Sequence, residues 1–169
     1  MTAPRAGRGF TLVEVLVVMV IIAVGAGLVS LGFDRLQQDP LERQAGELSG
    51  WLQGMSDDAV LDGAVYGAWL SADGERLETG YFHAGRWWPL AAEDGQHLRL
   101  VAGVTVRLAD GPGWRALVPA APGEPSPQLI FEPQGVVTPA SFALWGGEPP
   151  REARLERDED GLFAWQRVD

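Results

Sequence analysis

The sequence predicts an α+β protein. A long N-terminal helix, membrane-spanning at first and amphipathic later, packs on a C-terminal antiparallel β-sandwich. Three observations carry that expectation. No charged residue occurs from Val15 to Phe33. From Leu41 to Ala59, apolar residues recur at spacings of four and three, which places them on one helical face. Beyond about Leu61 the pattern changes to short strand-like segments punctuated by glycine and proline.

The uncharged stretch comes first. Its 19 residues, Val15 to Phe33, would rise about 28 Å as a helix, close to the hydrocarbon thickness of a bilayer. Arg5 and Arg8 precede it. Positive charge stays cytoplasmic, so the rest of the chain is expected outside. An ordinary secretory signal also has a basic start and an apolar run, and "AVGAG" at residues 23–27 imitates its cleavage site. A plain membrane anchor is the simplest alternative. Neither accounts for Glu14, on the cytoplasmic shoulder of the run. An acidic group costs about 2.5–3.5 kcal/mol at mid-membrane and less near the edge.

The helix is expected to continue beyond Phe33. Leu41, Ala45, Leu48, Leu52, Met55 and Ala59 form its apolar stripe, while Arg43, Gln44, Glu47, Gln53 and Asp57 fall mostly on other faces. Asp39-Pro40 should kink or interrupt it, because proline lacks the backbone donor and clashes with the preceding turn. Strands follow. "AVYGAWLS" and "RLETGYFHA" flank Asp73-Gly74, a hairpin signal. "RWWPL" comes next, and "HLRLVAGVTVRLA" holds two strands broken at Ala102-Gly103. "DGPG" turns the chain into "WRALVPA", and "APGEPSP" is a loop by composition. "LIFEPQGVVTPASFALW" reads as strand, Pro-Gln-Gly turn, short strand and strand. "REARLERDEDGLFAWQRV" closes the chain as a hairpin about Asp160-Gly161. Two packed sheets with the helix against one of them fit this order.

Composition excludes several functions. The formal net charge is −10, so a phosphate-binding surface and a nucleic-acid partner are not expected. The absence of cysteine removes disulfides, thiolate metal sites and thiol nucleophiles together. His83 and His97 are the only histidines, and their spacing suggests no metal pair. "RDEDG" at 157–161 lacks the spacing of a calcium loop and reads as a solvated hairpin tip. No nucleophile elbow, phosphate loop or dinucleotide fingerprint occurs. No catalytic residue, metal ligand or cofactor is therefore assigned. Trp87-Trp88 is the conspicuous aromatic pair. Adjacent strand residues point to opposite faces, so either one is core and one faces a partner, or a bulge buries both.

The stretch "GRGFTLVEV" resembles the processing site of type IV pilins and type II secretion pseudopilins. In that class a short basic leader ends in glycine. A prepilin peptidase cuts behind it and methylates the new terminal residue, leaving the apolar helix in place. Carried across, residues 1–9 are the leader, the cut falls between Gly9 and Phe10, and Phe10 is N-methylated. Glu14 becomes the fifth mature residue. The resemblance implies that Glu14 pairs with the N-terminal amine of a neighbouring subunit in a filament of parallel helices. That amine, with an ordinary pKa of about 7.7–8, is cationic at neutral pH, and two such charges are tolerable in the membrane only as a pair. A favourable dipole effect in the first turn is the local alternative for Glu14.

"LIFEPQGVVTPASFAL" and "SDDAVLDGAVYGAWL" are similar to stretches of the GspH/FimT family. Phe131, Pro133 and Gly135 are read simply as a core strand and its turn. The resemblance implies a pilin-like fold in four parts. These are the leader at 1–9, a transmembrane and filament-core helix at 10–33, its amphipathic continuation at 34–62, and a periplasmic β-rich domain at 63–169. It implies a minor pseudopilin of the GspH type, without enzymatic activity, near the tip of a periplasmic pseudopilus. There it links the major pseudopilin to the other minor pseudopilins and supports exoprotein secretion. Prepilin peptidase, the inner membrane and secreted exoproteins complete the expected partners. The alternative is a FimT-like minor type IV pilin serving adhesion, motility or DNA uptake. Arg151 to Asp169 hold four arginines and six acids, which argues against a cationic DNA receptor. A membrane-anchored periplasmic enzyme, the third class, lacks a catalytic constellation.

Overall fold

A computed structural model describes residues 12–22, 39–91, 97–121 and 125–168. The chain divides into two compact units, Met1–Gln38 and Asp39–Asp169. In the first, residues 12–22 form a helix, α1. The second contains α2, Pro40–Asp62, followed by the strands.

The ends of α2 are set by local chemistry. Asp39 lies outside the helix (φ −52°, ψ 129°), and its Oδ1 accepts a hydrogen bond from the Leu41 amide at 3.0 Å. Pro40 occupies the first helical position, where its missing N–H costs nothing. Gly63 adopts the left-handed conformation (φ 61°) that ends the helix, and its amide donates to the Val60 carbonyl. The helix thus starts at Pro40. Residues 34–38, which the sequence reading placed in the same helix, lie outside the described residues.

The strands are β1 (Tyr66–Leu70), β2 (Arg76–His83), β3 (Arg86–Pro89), β4 (Leu98–Arg99), β5 (Thr105–Asp110) and β6 (Gly113–Ala116). They continue with β7 (Leu129–Phe131), β8 (Val137–Thr138), β9 (Phe142–Gly146), β10 (Arg151–Arg157) and β11 (Phe163–Val168). One antiparallel sheet has the order β3-β2-β1-β7-β8, with β4 also paired to β2. The other has the order β11-β10-β9-β5-β6. Leu70 and Leu77 face each other across β1 and β2, and Leu155 faces Phe142 across β10 and β9. These residues, with Phe131, Leu108 and Leu144, belong to one buried cluster shared with the α2 stripe. Each such large side chain contributes about 1.5–3 kcal/mol by leaving water.

The helix packs against both sheets, not one. The Trp51 ring meets Phe131 of β7 edge-on at 5.9 Å, and Ser49 Oγ donates to the Phe163 carbonyl of β11. Its buried face is wider than the apolar stripe because it includes Gln44 and Ser56. Gln44, expected on an outer face, is fully buried, and its Oε1 accepts from the Val101 amide. That bond satisfies the carbonyl half of the buried side chain, while Nε2 is buried without a hydrogen-bond partner among the described residues.

Bulk on the outer face of the first sheet follows a similar logic. Trp69 is only 3% exposed. Its ring lies so close over Gly80 that a Cβ there would sit 2.8 Å from it, and its Nε1 donates to Glu78. The Trp87 ring and Pro127 cover Gly67 in the same way.

Candidate assembly site

The helix α1 carries ten large apolar residues, and all are exposed. Glu14 is the one charged residue among them, and it is exposed too. A helix that is apolar all round belongs in a membrane or a protein core, since no face of it suits water. Gly9 and Phe10 lie outside the described residues, as does the part of the expected span beyond residue 22. Among the described residues no helix is long and apolar enough to cross a membrane.

The domain grips the start of α2 with two arginines. Arg151 of β10 pairs with Asp39, the capping residue, and Arg167 of β11 pairs with Glu42 in the first turn. Strand register explains the placement. Arg167 stands opposite buried Ala153, so it faces the helix; Arg151, two residues before Ala153, shares that face.

A third arginine binds the far end of α2. Arg157 donates from Nη1 to the Gly135 carbonyl and from Nη2 to Ser56 Oγ at 2.8 Å. Its guanidinium lies 5.0 Å from the Phe163 ring centre. One side chain thus joins α2, the β7–β8 turn and β11. This corrects the reading of 157–161 as a solvated tip. Arg157 is a structural tie, and the tip begins at Asp158, whose Oδ1 accepts from the Asp160 and Leu162 amides. Sequence reasoning missed all three arginines. The available signal was their period-two phase: Arg151 and Arg157 fall on the face of buried Ala153 and Leu155, and Arg167 on that of Phe163.

Near the same end, the Tyr66 hydroxyl donates to Asp62 Oδ2 at 2.6 Å. Burial, reinforced by that carboxylate, pushes the phenol up to about 12. Asp73 is held below its ordinary range by the Ser71 hydroxyl and the Glu75 amide.

Neither tryptophan of the 87–88 pair belongs to the core cluster. Trp87 packs on Phe82, with ring centres 5.1 Å apart, and Trp88 is covered by the Arg86 guanidinium at 3.6 Å. His83 is exposed and His97 half-buried. Among the described residues no three histidine, cysteine or acidic side chains converge to hold a metal. A cleft of about 680 Å³ beside α2 is lined by Arg43, Glu47, Glu75 and Arg99, with charges that offset one another.

A greasy helix exposed all round, carrying one early glutamate, and a capped helix laid on two antiparallel sheets together define a pilin-like assembly subunit. The comparisons agree. The prokaryotic N-terminal methylation motif matches residues 4–30. A type II secretion system protein H of Pseudomonas aeruginosa is 34% identical, with 98% of this chain and 97% of the relative aligned. The protein of the same name from Vibrio cholerae is 27% identical over 94% of this chain and 93% of its own. In structure, the minor pseudopilin EpsH from the Type 2 Secretion System of Vibrio cholerae superposes with a TM-score of 0.56. That alignment takes in 76% of this chain and 98% of EpsH at 20% identity, which speaks to the fold. The chain belongs to the type II secretion system protein H family.

Proposed function

We propose that this chain is a minor pseudopilin: a structural subunit near the tip of a periplasmic pseudopilus. It links the major pseudopilin to the tip minor pseudopilins and supports export of folded proteins. The observation that carries the reading is family kinship over nearly the whole chain, joined to an N-terminal methylation motif. On this reading prepilin peptidase cuts between Gly9 and Phe10, Phe10 is N-methylated, and the retained helix anchors the subunit in the inner membrane with the β domain in the periplasm. Glu14 then meets the N-terminal amine of a neighbouring subunit. Burying both charges is tolerable because each neutralises the other.

Mass analysis of the N-terminus of membrane-extracted protein tests this directly. A methylated chain starting at Phe10 is expected. A chain starting near Ala26 would indicate ordinary signal-peptide cleavage and overturn the reading. Deleting the gene should stop exoprotein secretion and leave surface pili intact. The reverse outcome would make it a pilus subunit.

A further inference from the structure

The far end of α2, opposite Asp39, carries an unusual surface. The 23-residue helix is about 34 Å long, so this end is well separated from the point where residues 1–38 join. Of the five exposed large aliphatic side chains described in residues 39–169, four lie here: Val60, Leu61, Val136 and Leu162. Leu61 is 80% exposed. They come from three segments that the fold draws together. Val60 lies against the β7–β8 turn, 3.7 Å from where a Cβ of Gly135 would be. Arg157 binds both that turn and α2 and leads into the tip that bears Leu162. Exposed aliphatic residues scattered singly need no explanation, but four gathered at one pole do.

The rim decides what could cover them. Asp58, Asp62, Glu132, Asp158, Glu159 and Asp160 lie within four residues of these side chains along the same segments. The single basic residue in these segments, Arg157, is engaged with Gly135, Ser56 and Phe163. A second copy of this chain would bring the same acids to a pole-to-pole contact, and like charges would oppose it. We infer that this pole is a docking surface for the periplasmic domain of a different pseudopilin, one that presents lysine or arginine around aliphatic side chains. The inference rests on the proposed role as an assembly subunit and adds to it the face used and the chemistry of the partner.

The test uses the full chain in detergent, titrated with the purified periplasmic domains of the other pseudopilins of the same system. Leu61→Glu and Leu162→Glu change exposed positions, and near-ultraviolet circular dichroism checks that each variant is folded. Each should weaken binding to one of those domains by about tenfold or more. Val118→Glu, at an exposed aliphatic residue elsewhere in the domain, should leave it unchanged. Glu132→Gln with Glu159→Gln, or a rise from about 0.05 to about 0.5 M salt, should weaken it too. Wild-type affinity in both leucine variants overturns the inference and leaves the subunit reading standing. Loss in those variants without any charge or salt effect overturns the basic character of the partner. Should the wild type bind none of the domains while secretion still requires the chain, the inference falls alone. Normal secretion without the chain overturns the subunit reading itself.

Discussion

Arg157→Met removes the head of one side chain and keeps most of its apolar stem. Three interactions go with it. The Gly135 carbonyl and the buried Ser56 hydroxyl each lose a charged donor, and the Phe163 ring loses its cation. A buried polar group left unsatisfied costs about 1–3 kcal/mol. A cation over a ring contributes about 0.5–1 kcal/mol where solvent reaches it. Arg157 is half-exposed, so water recovers part of the loss at Gly135. The expected destabilisation is about 2.5–4.75 kcal/mol, taking the low half of each range. For a domain of this size that lowers Tm by roughly 7–15 °C. All seven tryptophans lie between residues 51 and 165, so near-ultraviolet circular dichroism of the full chain reports the domain alone. Arg157→Lys should recover only part of the loss, since one ammonium on a flexible stem cannot reproduce a planar fork. A Met variant within about 1 kcal/mol of wild type, or a Lys variant equal to it, would refute the argument that this side chain joins three elements.

Glu14→Leu should leave the protein membrane-inserted and its domain folded, while crosslinking to other pseudopilins and exoprotein secretion fail. A pure dipole effect in the first turn, about 0.3–1 kcal/mol, would leave both intact. Asp39→Ala should cost the domain about 1–2 kcal/mol by removing the cap and the partner of Arg151; Asp39→Asn, which keeps the cap, should cost less, as chemical denaturation would show. The Tyr66 phenol holds its proton more tightly in the folded chain, near 12 against an ordinary value of 10.0. Its stabilising share is therefore complete below pH about 10 and lost as the pH climbs towards 12. Spectrophotometric titration in a Tyr81→Phe background isolates this group. Ionisation of Tyr66 near its ordinary value would contradict the buried hydrogen bond to Asp62.

Much of the domain was legible because its turns are chemically explicit. Gly74, Gly135 and Gly161 adopt positive φ at the places where the sequence signals a turn. The strands between them follow, since few residues are left over. Side-chain partners were much less legible. Gln44 looks like a surface residue until a backbone amide from another segment arrives beside it, and no local pattern announces Val101. Arg151, Arg157 and Arg167 read as solvated charges because their partners lie from 22 to 125 residues away along the chain. Trp69 is placed by Gly80 on the neighbouring strand and Trp87 by Gly67 two strands away, pairings that appear only once the strand order is known. Ala84 turns the β2–β3 hairpin with φ 51°, where the sequence points to Gly85 alone. The candidate site divides the same way. Glu14 stands out by type and position, whereas the apolar pole is assembled from three distant segments.

The apolar helix α1 and the apolar pole of the domain answer different physical questions. The ten exposed apolar side chains of α1, at about 1.5–3 kcal/mol each, represent about 15–30 kcal/mol of transfer from water. That exceeds the stability of a typical domain, about 5–15 kcal/mol. One carboxylate cannot reverse it, so on the proposed reading Glu14 does not decide whether the helix leaves water. The same apolar surface, however, gains almost nothing when the helix moves from lipid into a filament, because lipid tails are as apolar as leucine. Its surface keeps the subunit in the membrane and is a weak guide to which subunit stands beside it. Selection of a neighbour must then come from groups whose free energy does change between lipid and filament, or between periplasm and interface. In the helix that group is the Glu14 carboxylate. In the domain the strongest candidates are Leu61 and Leu162, both exposed and, on the docking inference, covered by a partner whose basic groups meet the acids beside them in sequence. Glu14→Leu and Leu61→Glu should accordingly fail in distinguishable ways. The first keeps affinity between isolated domains and loses order in the membrane. The second loses domain affinity while its helix remains competent to enter a filament.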